Sequence, residues 1–149
     1  MKKEFVIESK GSIIGLIIKS IIFSIIAIRI LNRFFPPKIS VFAVIPVFLY
    51  FLYRYFVDKT IVKVNEENFD IIIIKAFPKK EEVFSYKIEN ISAVKLVQSS
   101  SFLYGKKSII IYDKNGDNDE IYVNLRYYQL VQLEKFLNEE LHIKADLIG

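Results

Sequence analysis

Residues 11–57 read GSIIGLIIKSIIFSIIAIRILNRFFPPKISVFAVIPVFLYFLYRYFV. They contain two predominantly apolar stretches, 12–35 and 39–57, and the adjacent prolines Pro36 and Pro37 interrupt any helix between them. About 20 helical residues, each rising about 1.5 Å, cross a hydrocarbon core of about 30 Å. The run therefore predicts a transmembrane helical hairpin.

Two other interpretations of these stretches stay open. The first stretch could be a secretory signal peptide, although no small-x-small cleavage site follows it and a second apolar segment does. The pair could also be the core of a soluble helical domain, although such helices normally carry a polar face. Because 52% of the chain is hydrophobic and both runs are nearly continuous, the membrane hairpin is the preferred interpretation.

Charged and aromatic side chains stand at informative positions in the hairpin. Lys19 and Arg29 lie inside the first stretch. A Lys or Arg at the bilayer centre costs about 2.5–3.5 kcal/mol on insertion scales, whereas one near a helix end can reach the headgroups. Both are therefore candidate functional charges within the membrane. The predicted membrane-interface anchors are an aromatic and basic cluster, Tyr50, Tyr53, Arg54 and Tyr55.

The positive charge belongs to the hairpin region. Residues 1–57 carry 8 Lys and Arg against 2 Glu, whereas residues 58–149 carry 13 basic against 15 acidic residues. A nucleic-acid-binding domain concentrates positive charge on its folded part, so nucleic acid is not an expected partner. The chain also has 0 cysteines, which excludes a disulfide framework and a thiolate zinc site and fits a reducing compartment.

Orientation follows from the basic residues beside the two spans. Six of them flank the hairpin and two lie in its turn, which favours both termini in the cytoplasm. The six are Lys2, Lys3, Lys10, Arg54, Lys59 and Lys63, and the two are Arg33 and Lys38.

The periodicity changes after the hairpin. Residues 59–124 contain five or six short strand-like runs, such as TIVKVN and SIIIY, separated by turns. Apolar residues then repeat at helical spacing, which predicts a helix over residues 125–142 with Asn124 as its N-cap.

The predicted organisation is an N-terminal tail over residues 1–11, a hairpin over 12–57 and one domain over 58–149. Runs of consecutive strands followed by a single helix indicate an α+β fold, in which that helix closes an antiparallel sheet or a small barrel.

The segment FSYKIENISAVKLVQSSSFLYGKKSIIIY carries a family resemblance. Ile88, Ile91 and Val94 follow an I-x-x-I-x-x-V pattern, and Leu103–Gly105 precede the strand-like run Ser108–Tyr112. Together with the hairpin, these patterns resemble small bacterial membrane proteins with a pleckstrin-homology-like (PH-like) domain. The resemblance implies a PH-like fold after the hairpin and a location in the bacterial cytoplasmic (inner) membrane.

The first turn of the domain departs from the wider PH superfamily. Phosphoinositide-binding members place several Lys and Arg there, whereas this chain has NEEN at residues 65–68. Acidic side chains repel a phosphorylated headgroup, so recognition of a headgroup by that turn is not expected. Two basic pairs in later turns are candidate leaflet contacts, worth about 1 kcal/mol per residue, with ordinary solvated turns as the alternative. They are Lys79 with Lys80 and Lys106 with Lys107.

Residues with catalytic or ligand-binding chemistry are sparse. His142 is the only histidine, and its place after a helix is typical of a surface or helix-end residue. Ser99–Ser101 have no base nearby in sequence, which favours a polar connection. Asp113 begins a calcium-loop alternation, but Asn118 and Asn124 stand where such a loop needs Gly and Glu. We therefore expect no catalytic, cofactor or metal site, and a hairpin turn at Asn115 and Gly116.

The sequence favours a non-enzymatic, membrane-tethered interaction or assembly module with membrane lipid and a protein partner, or a second copy of itself, as binding partners. Alternatives are an accessory subunit or oligomeric pore component of a transport complex, motivated by Lys19 and Arg29, and a membrane-resident immunity or regulatory protein.

Overall fold

The computed structural model describes residues 2–11, 13–76, 79–98 and 107–149. The chain divides into two compact units. The hairpin unit comprises Lys10–Asp58 and Ile74–Lys80, and the sheet unit comprises Met1–Ser9, Lys59–Ile73 and Glu81–Gly149.

Helices make up most of the hairpin unit. Helix α1 spans Ile13–Leu31, and the second helical segment contains α2 (Pro37–Ser40), a 3₁₀ turn (Val41–Ala43) and α3 (Val44–Val57). Pro37 occupies the first turn of α2, where a missing N–H breaks no helical hydrogen bond. The 3₁₀ turn directly precedes the turn of α3 that contains Pro46, whose ring would clash with the carbonyl four residues earlier in a regular helix.

The first sheet of the sheet unit has the strand order β1-β2-β3-β4. The strands are β1 (Glu4–Lys10), β2 (Lys59–Asn65), β3 (Asn68–Ala76) and β4 (Lys79–Lys87). The side chain of Asn65 organises the tight β2–β3 turn. Its Oδ1 accepts hydrogen bonds from the backbone N–H groups of Glu67 at 2.8 Å and Asn68 at 2.7 Å.

The second sheet has the order β7-β6-β5-β8. Its strands are β5 (Ile91–Gln98), β6 (Lys107–Asp113), β7 (Asn118–Val123) and β8 (Lys144–Ile148), and a 3₁₀ turn (Ile88–Asn90) precedes β5. Strands β5, β6 and β7 pair antiparallel, whereas β8 lies parallel to β5.

The β6–β7 connection is the hairpin turn expected from Asn115 and Gly116. The Asp113 Oδ1 accepts the N–H groups of Asn115 at 2.8 Å and Asp117 at 3.0 Å. Gly116 has a φ of 92°, a backbone conformation that glycine adopts without steric cost. The Asp113 carboxylate therefore organises the turn.

Helix α4 (Tyr127–Glu139) follows β7 in the chain and contacts the edge strands β1 and β8. It begins two residues later than the Asn124 cap predicts, because the Asn124 N–H bonds to Thr60 Oγ1 at 3.2 Å while Gln129 Oε1 accepts the Arg126 N–H at 2.9 Å. At the other end, His142 takes a left-handed φ of 54°, and the Ile143 N–H returns to the Leu137 carbonyl at 2.9 Å. This reversal leads the chain into β8.

Side chains of α4 cover the outer edge of β8. The Asn138 amide donates to the Ala145 carbonyl at 2.8 Å and accepts the Ala145 N–H at 3.0 Å. Glu134 Oε1 accepts the N–H of Leu147 at 3.1 Å. Edge strands otherwise present unpaired backbone groups, so these side chains replace a missing neighbouring strand.

The same helix also reaches β1. The Phe5 and Phe136 rings stack with centroids 5.0 Å apart, and the Gln129 side-chain amide donates to the Glu8 carbonyl at 3.4 Å. Helix α4 therefore fastens an edge strand of each sheet.

One apolar core fills the space between the two sheets and α4. Its fully buried members come from both sheets, from α4 and from the segment that precedes α4: Val62, Val64, Phe69, Ile71, Val94, Leu96, Ile109, Leu125, Leu130, Leu133 and Leu137. Strand β1 contributes Ile7 to the same core.

The predicted α+β class is confirmed, with two N-terminal helical segments, consecutive strands and a C-terminal helix. The strands divide into two four-stranded sheets, and the described residues form no closed barrel. The expectation of a tail over residues 1–11 overlooks β1. The seven residues of β1 alternate weakly and are followed at once by the apolar run, so the local pattern does not distinguish them from a tail. Strand β8 is also unexpected, because its parallel pairing with β5 has no hairpin signal.

We predict that Asn138→Ala lowers the free energy of unfolding by roughly 1–3 kcal/mol, because it leaves two backbone groups of Ala145 without partners. Urea denaturation of the full chain in detergent, followed by the near-ultraviolet circular dichroism of its tyrosines, measures the loss. Gln132→Ala is the matched control, because Gln132 is exposed on the same helix. Equal stabilities of the two variants would contradict the bracing role of Asn138.

Candidate functional site

The hairpin unit exposes large apolar side chains over most of its surface. Both helical segments, Ile13–Leu31 and Pro37–Val57, are long and apolar enough to cross a membrane. Their side chains that are 42–69% exposed include Ile14, Ile17, Ile18, Ile21, Ile22, Phe23, Ile25, Ile26, Ile30, Ile39, Val41, Phe42, Ile45, Phe48, Leu49, Tyr53 and Phe56. Soluble monomers rarely expose a contiguous apolar patch of more than a few hundred Å².

Small polar residues form the contact between α1 and α3. Ser20 and Ser24 are only 5% and 6% exposed, and Phe51 is the buried residue of α3. The Phe23 and Phe51 rings lie 5.2 Å apart. Two small residues four apart let helix backbones approach closely, which is how helices associate where the hydrophobic effect does not drive them together. The S-x-x-x-S spacing was the available sequence signal for this contact.

A groove of about 660 Å³ runs along α1 and α3. Apolar side chains make up most of its lining, and Lys19, Tyr50 and Arg54 are its polar members. The apolar lining residues are Phe23, Ile26, Ala27, Ile30, Pro46, Val47 and Phe51.

Asp58 holds the guanidinium of Arg54 in place. Its Oδ2 accepts from Arg54 Nε at 3.0 Å and lies 2.9 Å from Arg54 Nη2. The other oxygen, Oδ1, accepts the Ala76 N–H at 2.5 Å. Asp58 therefore restrains the orientation of the Arg54 guanidinium at the C-terminal end of α3.

The predicted anchor residues all lie in the last eight residues of α3. Tyr50 and Tyr53 are 41% and 53% exposed, whereas Tyr55 and Arg54 are half-buried. The structure thus keeps the aromatic and basic cluster together at one end of the hairpin.

Lys19 and Arg29 remain apart. Both side chains are exposed on α1, but only Lys19 lines the groove. Ten helical residues separate them by about 15 Å along the axis. The structure therefore gives the two charges different surroundings.

The two lysine pairs also separate. Lys79 and Lys80 are exposed at the start of β4 and not in a turn. Lys107 lies on β6, where its Nζ donates to the Leu125 carbonyl at 2.7 Å. Burial, aided by the nearby Arg126, lowers the pKa of Lys107 below its usual range. Lys106, like Ser99–Ser101 and Leu103–Gly105, lies outside the described residues.

The acidic first turn has a cationic partner. Glu67 Oε1 lies 3.0 Å from Lys2 Nζ, and both side chains are exposed. The ion pair leaves Glu66 and Glu67 at the surface of the sheet unit. A phosphorylated headgroup would meet negative charge at this turn.

Tyr86 links β4 to β7. Its hydroxyl donates to Asp119 Oδ2 at 2.9 Å. Burial, together with the hydrogen bond to Asp119 and that residue's negative charge, raises the pKa of Tyr86 to about 12. A small acidic cleft lies beside this bond, but within the described residues no three His, Asp or Glu side chains are placed to hold a metal ion.

The described residues thus define an α+β protein with an apolar two-helix hairpin inserted between the first two strands of its sheet unit. No family model and no curated protein matches the chain. Three chains among the solved structures match. One of them, described as "Structure of the Spt16D Pob3N heterodimer", shares 9% sequence identity at a TM-score of 0.42. The match covers 60% of this chain and 46% of that chain, so this chain spans less than half of that length.

We predict that phenolate absorbance of the full chain shows a titration step near pH 12 that Tyr86→Phe removes. The folded state holds the Tyr86 proton more tightly than the unfolded state, whose tyrosine pKa is about 10. The stability from this proton is complete below pH 10 and is lost as the pH rises through about 12. Asp119→Asn, which removes the negative charge, moves the step to lower pH. A step at the same pH in all three proteins would contradict this assignment.

Proposed function

We propose that this chain is a membrane-tethered protein-interaction module. In this proposal, the hairpin crosses a bacterial cytoplasmic membrane twice, and the sheet unit is a PH-like domain on the cytoplasmic side. The module acts by binding a protein partner and not by catalysis.

The pairing of β1 with β2 carries the proposal. Strand β1 precedes the hairpin in the chain, β2 follows it, and the two are neighbours in one sheet. A hairpin between two neighbouring strands must enter and leave a membrane on the same side, which needs an even number of crossings. Two helical segments of sufficient length and apolarity supply that number.

The same pairing speaks against the other interpretations of the apolar run. Cleavage after a signal peptide would remove β1, together with the Ile7 side chain that packs in the core. The soluble-core interpretation requires buried helices, whereas large side chains such as Ile14 and Phe42 are 69% and 67% exposed. The basic flanks then favour the cytoplasmic side for the sheet unit.

A face of α4 is our proposed surface for the protein partner. Tyr127, Tyr128 and Val131 are 54%, 53% and 37% exposed. Residues three and four apart are neighbours on a helix, so these side chains form one patch, the α4 aromatic face. Tyrosine is enriched at protein interfaces, where its ring supplies contact area and its hydroxyl a hydrogen bond.

We expect the full chain to stay in the membrane fraction after alkaline washing, with the turn and the sheet unit on opposite sides. Because the chain has 0 cysteines, Asn32→Cys, Asn115→Cys and Glu4→Cys each introduce one labelling site. A membrane-impermeant maleimide applied to spheroplasts should label the site at 32 only, and all three sites after lysis. Recovery in the soluble fraction, or labelling of the sites at 4 and 115 on different sides, would contradict the proposal.

We further expect a photo-crosslinking amino acid at position 127 or 128 to capture the same partner protein in intact membranes. The control position is Lys63, which is exposed on β2 away from α4. Alanine at both tyrosines should weaken binding of that partner by about tenfold or more, since truncating an interface anchor costs about 1–2 kcal/mol. Equal capture from positions 63 and 128 would exclude the α4 aromatic face as the binding surface.

A further inference from the structure

We propose that the groove between α1 and α3 binds one anionic phospholipid, with its phosphate at Lys19 and Arg54 and an acyl chain along the apolar lining. This inference rests on the proposed membrane position of the hairpin and goes beyond it, because it assigns a specific lipid site to one face of the hairpin.

The groove has the chemistry of an amphiphile's receptor. Its volume of about 660 Å³ lies within the range of about 300–1,000 Å³ that is typical of ligand sites. Its two cations stand near the start of α1 and near the end of α3. Because the two helices run antiparallel as a hairpin, both cations lie at the same end of the groove. From Lys19 the apolar lining continues to Ile30, about 16 Å along the axis of α1.

Asp58 compensates the charge of Arg54, so among the described residues Lys19 is the cation of this groove that lacks a local counter-charge. Residues 9–57 contain six Lys and Arg and no Asp or Glu. Among the described residues, no acidic side chain pairs with Lys19. A lysine in an apolar segment is costly unless an anion accompanies it. An anionic headgroup supplies the missing charge.

Arg54 can donate hydrogen bonds to the same phosphate. Asp58 accepts a hydrogen bond from Arg54 Nε and lies within ion-pair distance of Nη2, and a guanidinium carries five N–H donors in a planar fork. The remaining donors are held in a fixed direction, since Asp58 is itself bonded to the Ala76 N–H. A fixed guanidinium recognises a phosphate with little loss of side-chain freedom.

Charge favours a lipid over a second copy of this chain as the occupant. Two copies with the same membrane orientation, related by a two-fold axis along the membrane normal, would bring the same ends of this groove together. Lys19 and Arg54 of each copy would then approach the same cations of the other in a medium of low dielectric constant. An anionic phospholipid meets these cations with opposite charge.

The test is native mass spectrometry of the full chain released from nanodiscs of phosphatidylglycerol or phosphatidylcholine with identical acyl chains. We expect the unaltered protein to retain one phosphatidylglycerol and no phosphatidylcholine. Lys19→Gln should reduce the retained phosphatidylglycerol by about tenfold, which is the typical loss of a hydrogen bond to a charged group. Arg29→Gln removes a cation of the same helix that does not line the groove and should leave retention unchanged.

A second variant tests the apolar part of the site. Ala27→Phe places a ring in the groove without changing any charge, and it should abolish retention of phosphatidylglycerol. Inorganic phosphate should not compete, because it lacks the acyl chain. Equal retention by Lys19→Gln and Arg29→Gln, or equal retention of the two lipids, would overturn the inference and indicate annular lipid only.

Membrane fractionation of the cells that produce the chain separates this inference from the proposed function. If the unaltered chain is an integral membrane protein and shows no preference for phosphatidylglycerol, only the lipid site is refuted. If the chain is recovered without detergent in the soluble fraction, both the tether and the lipid site are refuted.

Discussion

The hydrogen-bonded pairing of β1 with β2 constrains the rest of the structure. These strands are neighbours in the sheet although the whole apolar hairpin lies between them in the chain. An ion pair between Lys59 and Glu8, 3.3 Å apart, accompanies this pairing. Because exposed ion pairs contribute little, the burial of Ile7 and the backbone ladder are the main stabilising terms. The pairing makes the hairpin an insertion within a domain, not an appendage at one end.

Helix α4 covers the two sheet edges that this strand order leaves exposed. A sheet that begins with a strand separated from the others by an insertion has an exposed edge at that strand, and β8 forms a second edge in the other sheet. Side chains of α4 contact both strands, through Gln129 and Phe136 on β1 and through Asn138 on β8. The outward face of the same helix carries Tyr127 and Tyr128. One helix thus closes the core and offers the surface that we propose for a partner.

The hairpin and α4 could be predicted from the sequence because apolar runs and leucine spacing are local patterns. The turn at Gly116 was predictable for the same reason, since its chemistry lies within a few residues. In contrast, β1 and β8 pair with strands that are distant in the chain. Their alternation of apolar and polar residues is too short to predict a strand without knowledge of those partners. The sequence showed Lys19 as an unusual charge within an apolar stretch. It could not show that Lys19 and Arg54 line one groove, because the groove forms only when α1 and α3 pack together. The hydrogen bond from Lys107 to the Leu125 carbonyl is also non-local. The sequence therefore suggested a surface lysine, whereas Lys107 is half-buried.

The position of β1 also determines the order in which the protein can be assembled. Ribosomes synthesise β1 first, but its neighbour β2 begins only at Lys59, after both helical segments have emerged. Until β2 is synthesised, the backbone N–H and C=O groups of β1 have no neighbouring strand to pair with. Unpaired strand edges of this kind are prone to aggregate. The first sheet therefore cannot form until both helical segments have been synthesised. Formation of this sheet thus depends on a hairpin that returns the chain to the place where β1 lies.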